Sequence, residues 1–282
     1  MNSPPILFFS YARSGGTLMN KCLLNLSNTI VLSEINPNEF GEGLWKNRPS
    51  IHEIIQLQVK QWYGVELQST SFDDALLELI NYCANNNIRL IIRDFSIADF
   101  VSSPLLQNQP KNQLSWIKWM ENYQINFHSF SLIRHPMQVW ISHKMPEVNS
   151  FISYYKNFLQ EIKKHDIPYY YYQSFTRNPL NVLNQILGQL QITQSSASLL
   201  DIENKHNLFG DIKNANPKLL EIKAMTEKPI PFWKWKQANQ LMMREPLFNE
   251  FFEFQTSKNF DLLMYNTILF YWNKLKNFKK IN

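Results

Sequence analysis

From Ile6 to Leu26 the chain reads ILFFSYARSGGTLMNKCLLNL, a string that few backbones can accommodate. Ile6 to Phe9 is an apolar run of strand length, preceded by Pro4 and Pro5 and followed by a Ser-Gly-Gly turn. Past the turn, Leu18, Met19, Cys22, Leu23 and Leu26 share one face of a helix, with Thr17 expected as its N-cap. Strand, glycine turn and helix N-terminus in succession aim main-chain N–H groups into the turn, and the helix dipole adds partial positive charge. The expected occupant is a phosphate-like anion. An ordinary strand-to-helix connection has the same pattern, so a second site has to separate the two readings.

The turn is not that of a nucleoside triphosphatase. Those loops carry Gly-Lys-Ser/Thr, the lysine serving the outer phosphates and the hydroxyl a magnesium ion. Here Thr17 follows Gly16 directly, and the cation is Arg13, ahead of the glycines. A group of lower charge than a terminal phosphoryl, such as a sulfuryl, can be handled by an arginine and backbone donors alone.

No Pro/Gly/Ser-rich linker or break in composition divides the 282 residues, so a single domain is expected, with a nucleotide-binding core over about 5–215 and a helical part over about 216–282. A hydrophobic content of 44% argues against disorder, and the apolar runs are too short to span a bilayer. The first strand starts too early for a leader to be expected. Cys22 and Cys83 fall on apolar helix faces, where reduced buried thiols are expected; together these features point to the cytoplasm. The net charge of +5 is dispersed except at Lys274, Lys276, Lys279 and Lys280, which read as a solvated helix end, and no nucleic-acid-reading motif is present.

Further strands are expected at Thr29–Leu32, Arg89–Ile92, Phe127–Ile133 and Pro168–Tyr172. Helical periodicity covers Ile51–Trp62, Phe72–Ala84, Asn149–Lys164 and Leu180–Leu190, and Pro136 starts a helix through Trp140 and His143. Residues 97–123 read as a helical excursion broken at Pro104 and Pro110. Alternating strands and helices predict an α/β fold: a P-loop NTPase-like parallel sheet flanked by helices on both faces, binding ligands at the carboxyl ends of its strands. Those ends present Arg13, Glu34, Arg93, Asp94, Arg134 and Tyr172. Any one arginine there is an ordinary solvated cap; the group of them is harder to explain by packing.

Five blocks resemble the PAPS-dependent sulfotransferases, which move a sulfuryl group from 3′-phosphoadenosine-5′-phosphosulfate to a hydroxyl or amine. ARSGGT, Ala12 to Thr17, is similar to the family's phosphosulfate loop in its arginine form. LIRHPMQVWIS, Leu132 to Ser142, resembles the 3′-phosphate motif, implying that Arg134 and Ser142 hold that phosphate. YQSFTRNP, Tyr172 to Pro179, resembles the block whose tyrosine lies against the nucleotide, although Gln173 and Ser174 replace its acidic pair. SEINP, Ser33 to Pro37, and IRDF, Ile92 to Phe95, are similar to the tyrosylprotein enzymes' segments for the catalytic glutamate and for a lysine on the transferring group. KHNLFGDIKN, Lys205 to Asn214, resembles more loosely a late loop over the 3′-phosphate and adenine.

The resemblance, over about 5–215, implies a PAPS donor, PAP as product and no metal. It implies a sugar, lipid, peptide or small-molecule hydroxyl as acceptor, with the sulfotransferase fold. Catalytic roles fall to Glu34 as general base and to Arg13 and Arg93 on the sulfuryl oxygens and leaving phosphate, with Asp94 the rival base or an N-cap or partner of Arg93. Donor contacts fall to Arg13, Ser14, Gly15, Gly16, Thr17, Leu18, Arg134, Ser142, Tyr172, Lys205 and Gly210. None of the six histidines has metal-ligand spacing; His135 and His143 are expected to pack or hydrogen-bond within their motif. Phe232 to Trp235 reads as an acceptor lid or as a buried aromatic patch. Two other functions fit the same fold, a non-catalytic nucleotide binder and a small-molecule kinase, the latter weakened by the missing lysine.

Overall fold

The computed structural model describes residues 3–38, 51–102, 110–144, 146–201, 222 and 232–252, with the side chains of 51, 52 and 232 excepted. β1 (Ile6–Phe9), buried at every position, leads through the glycine turn into α1 (Gly16–Leu23). β2 (Thr29–Ile35) is followed by α2 (Ile51–Tyr63) and α3 (Phe72–Asn85), the last capped by Ser71, whose hydroxyl accepts the Asp74 N–H. β3 (Arg89–Asp94) runs into the single turn α4 (Ile97–Phe100), and α5 (Ser115–Asn122) precedes β4 (His128–Ile133). Pro136, its φ already helical, starts α6 (Pro136–Ser142), which is followed by α7 (Val148–Lys164) and the short β5 (Tyr169–Tyr171). The chain continues through α8 (Tyr172–Arg177), α9 (Pro179–Gln189), a 3-10 turn at Ser196–Leu200, α10 (Phe232–Met243) and α11 (Pro246–Phe251).

The strands form one parallel sheet in the order β2-β3-β1-β4-β5, with Leu7 opposite both Ile92 and Ser129. A parallel sheet has two apolar faces and needs a layer on each. Leu7, Phe9, Ile92 and Ile133 pack under Val59, Leu76, Trp116 and Phe158, contributed by α2, α3, α5 and α7. Ile6, Phe8, Ile91 and Phe130 pack under Met19, Leu23, Phe175 and Leu183, contributed by α1, α8 and α9. At the centre of this second face the Phe8 and Phe130 rings stack, 4.7 Å apart and 9° from coplanar. The α/β architecture expected from the alternation is the one observed.

Among the described residues, β2 has a strand on one side only. On the other, the Gln58 side chain accepts the Ser33 N–H at 2.7 Å and donates to the Ser33 carbonyl at 2.8 Å. The Tyr63 hydroxyl accepts from the Val31 N–H at 2.8 Å and donates to the Val31 carbonyl at 3.2 Å. Main-chain groups that a buried strand cannot leave bare are thereby satisfied.

Four local expectations shift. The cap of α1 is Gly15, at φ 92°, and not Thr17, because only glycine takes that conformation freely and the helix begins two residues sooner. Glu34 lies within β2, past an irregularity in its pairing with β3 between Leu32 and Ile35, and not in the following loop. Tyr172 opens α8 and does not end β5; a run of four tyrosines has no period that marks where extension stops. In the 97–123 stretch, helix is confined to α4 and α5, and residues 103–109 lie outside the described ones.

Candidate active site

The site grows from the turn between β1 and α1. Leu18 and Met19 donate to the Gly15 carbonyl at 3.0 and 3.1 Å, so the N–H groups of Gly16 and Thr17 stand ahead of the helical ladder, at the positive end of α1. Gly15 is required twice over: its φ is left-handed, and a Cβ would sit 2.2 Å from the Tyr172 ring. At Gly16 a Cβ would lie 2.3 Å from Ser10 Oγ and 2.8 Å from Arg93 Nε. Arg13, exposed, has φ 68°, and Ser14 is fully buried beside it.

Both ends of α6 are tied to this turn. The Arg134 Nη1 donates to the Arg13 carbonyl at 2.8 Å, and His143 Nε2 lies 3.2 Å from the Ala12 carbonyl, so a hydrogen on that nitrogen completes the second tie. Arg134 is 5% exposed; its Nε donates to Gln138 Oε1 at 3.3 Å, and its guanidinium lies 4.9 Å from the Tyr172 ring centre. Gln173 donates to the same Gln138 oxygen at 3.3 Å. Burial pushes the Tyr172 phenol up, and the same loss of solvent depresses His143, keeping its imidazole neutral. Ser142 is the last residue of α6, about 9 Å along the axis from Pro136.

Across the turn, β2 and β3 bring Glu34 and Arg93 together. Arg93 Nη2 is 3.2 Å from Glu34 Oε1, and its Nη1 donates to the hydroxyls of Thr17 at 3.3 Å and Ser33 at 3.4 Å. The two side chains are 9% and 14% exposed. Glu34 holds φ 58°, so the residues with a carboxylate and a cation at the mouth, Glu34 and Arg13, both occupy a region that costs a non-glycine residue roughly 1 kcal/mol or more.

Asp94, next along β3, points to the opposite face of the sheet. Its Oδ1 accepts from Asn36 Nδ2 at 2.8 Å, and its Oδ2 lies 2.6 Å from Ser96 Oγ. The second hydrogen of the same amide goes to Asp99 Oδ2 at 2.9 Å. Burial first, and then the charge of Asp99, raise the Asp94 acid far above the ordinary carboxylate range.

No protein-family model and no curated protein sequence matches the chain. Among solved structures, the sulfotransferase domain of the Synechococcus PCC 7002 olefin synthase superposes with a TM-score of 0.58 at 15% identity, covering 84% of this chain and 94% of that domain. The chain has the sulfotransferase fold. A sulfotransferase domain from the curacin biosynthetic pathway superposes with a TM-score of 0.51 at 17% identity, covering 86% of this chain and 98% of that domain.

Within this sulfotransferase fold, the residues picked out by sequence, Ser142 at the end of α6 aside, divide into three groups. Arg13, Ser14, Gly15, Gly16, Thr17, Leu18, Arg134, Tyr172 and Arg93 with Glu34 surround or abut one turn. Asp94 is displaced to the far face, and Lys205 and Gly210 lie outside the described residues. Sequence reasoning missed Asn36, Ser96, Asp99 and Gln138: each is a short polar side chain in an otherwise unremarkable position, and only the fold places them against a charged group. Trp233, in the aromatic segment expected as lid or patch, is 57% exposed, while Trp235 packs partly buried against the core.

Proposed function

We propose that this protein is a sulfotransferase that takes the sulfuryl group of PAPS to a hydroxyl or amine acceptor without a metal, with Glu34 as general base. The observation that carries the reading is the Glu34–Arg93 pair, which sets a carboxylate and a guanidinium beside a glycine turn whose own cation is Arg13. A donor with a 5′-phosphosulfate suits this cradle: Gly15 and Gly16 leave no room for a side chain, and the first-turn N–H groups of α1 face the turn. Arg134, behind Tyr172 and bonded to the Arg13 carbonyl, would take the 3′-phosphate with Ser142, and Tyr172 would lie against the nucleotide.

In the reaction, the acceptor oxygen forms a bond to sulfur while the bond from sulfur to the 5′-phosphate oxygen breaks, leaving PAP. Glu34 takes the acceptor's proton. Arg13 and Arg93 stabilise charge on the sulfuryl oxygens and the leaving phosphate. Asp94 is a poorer base, since it is 2% exposed and committed to Asn36 and Ser96 on the other face.

Calorimetric titration with PAP, with and without magnesium and beside ATP, tests the donor site. Micromolar PAP binding that ignores magnesium and far exceeds ATP is expected, followed by turnover of labelled PAPS in an acceptor screen. Absence of PAP binding would overturn the reading, and PAP binding without transfer to any acceptor would make the protein a nucleotide binder on the same fold. A kinase would show magnesium-dependent ATP binding.

A further inference from the structure

Ser96 Oγ lies 3.2 Å from the Ser10 carbonyl oxygen and 2.6 Å from Asp94 Oδ2. A hydroxyl has one hydrogen, and a carbonyl has none. When Ser96 donates to Ser10, the hydrogen between Ser96 and Asp94 has to belong to the acid. Asp99 is arranged the opposite way. Its Oδ2 accepts from Asn36 Nδ2 at 2.9 Å and the Ser115 N–H at 3.0 Å, and its Oδ1 accepts from the Ser115 hydroxyl. The orientation of the Asn36 amide is fixed by its own oxygen, which accepts the Asn38 N–H at 2.7 Å.

We propose that Asp94 is a protonated positioning residue, donating its acid hydrogen to Ser96 so that the Ser96 hydroxyl holds the Ser10 carbonyl at the entrance of the glycine turn, while Asp99 carries the single negative charge of the pair. The acid lies between the ends of the three strands that build the site: Asn36 follows β2, Asp94 ends β3, and Ser10 follows β1. It works through Ser96 and touches none of the residues assigned to the donor.

The surrounding charges agree with this distribution. Asp99 faces Asp94 from α4; burial raises it to about 6, and the hydrogen bonds from Ser115 and Asn36, with Lys111 ahead of α5, keep it below Asp94, so it is the first of the two to ionise. Ser115 of α5 supplies neutral donors to Asp99. Arg93 and Glu34 pair with each other on the other face of β3, and Arg13 is exposed beyond Ser10. Glu161 of α7 is taken up by the Leu114 N–H, Lys164 and His165. Burial, with the charge of Asp99, raises Asp94 to about 8, in the direction the hydrogen-bond chain requires. When Asp94 ionises, Ser96 has to turn its hydrogen to the carboxylate, and the Ser10 carbonyl loses its donor.

Urea unfolding of the full chain between pH 4 and 8, for wild type, Asp94→Asn and Asp99→Asn, tests the proposal whatever anion the turn holds. The native state keeps a proton that the unfolded chain releases, so this acid's stabilisation is complete below the ordinary carboxylate range, near 4, and is lost as pH rises toward about 8. Asp94→Asn, whose amide NH₂ stands in for the acid hydroxyl, should fold normally at pH 5. It should also lose the part of the pH dependence in which the unfolding constant rises about tenfold per pH unit. Asp99→Asn should be destabilised, because its amide offers one accepting oxygen where the carboxylate offers two, to Asn36, the Ser115 N–H and the Ser115 hydroxyl. An unchanged pH slope in Asp94→Asn, or destabilisation at pH 5 as large as that of Asp99→Asn, would overturn the assignment. So would a carboxyl ¹³C signal for Asp94 in the wild-type protein that is ionised at pH 6.

Discussion

The Arg93 guanidinium and the Glu34 carboxylate meet at 3.2 Å across neighbouring strands, and Glu34 makes the contact from a left-handed backbone. The irregular pairing of β2 with β3 after Leu32 is what brings Glu34 to this position. Strain of this kind persists where surrounding structure over-determines it, here through Gln58 on Ser33 before Glu34 and Trp116 on the Ile35 carbonyl after it.

Replacing the carboxylate without changing its shape separates its chemistry from its packing. Glu34→Gln should bind PAP within about twofold of wild type, and turnover of labelled PAPS should fall by about 10² to 10⁴, the usual contribution of a positioned base. Full activity in this variant would move the base elsewhere.

Arg134 supports the turn and is assigned to the 3′-phosphate, so its removal should be felt at the donor. Arg134→Ala is expected to weaken PAP by about 2 to 3 kcal/mol in calorimetry, the scale of a charge-assisted contact. Arg134→Lys should recover only part, since the ammonium lacks the fork that reaches the Arg13 carbonyl and Gln138 together. Unchanged affinity in both would remove Arg134 from the site.

Gly15 has space for nothing larger. In Gly15→Ala the new Cβ would press on Tyr172 at 2.2 Å while the backbone stays at φ 92°. A loss of about 1 to 3 kcal/mol in urea unfolding is expected, together with weakened PAP binding. A variant as stable as wild type would mean that the Tyr172 ring can leave the turn at little cost.

The thiols Cys22 and Cys83 are both buried and free, and burial pushes each up to about 12. Alkylation requires the thiolate, so at pH 8 the folded protein should react at least about a hundredfold more slowly than the urea-unfolded chain. Equal rates would show that these helices open freely.

The sheet was legible because each strand is a short apolar run between breakers, and Pro136 and Ser71 mark helix starts by their own geometry. The glycine turn was legible for the same local reason. What lay beyond the sequence depends on three-dimensional placement. Thr17 has the ordinary chemistry of an N-cap, but the freedom of Gly15 moves the helix start forward. Asp94 sits next to Arg93 in sequence, yet the alternation of a strand sends the two to opposite faces, where one meets Glu34 and the other Asn36. Asn36, Ser96 and Asp99 carry no spacing signal, because their partners come from other strands and helices.

On the β2 side, Gln58 and Tyr63 occupy the hydrogen-bonding positions that a sixth strand would use. A sheet margin is where one chain can recruit another, and this margin is already closed by a helix that offers no ladder of its own to continue. Any assembly of this protein by strand addition would have to dislodge α2 first. At the opposite margin, among the described residues, β5 offers Tyr169 to Tyr171 for pairing.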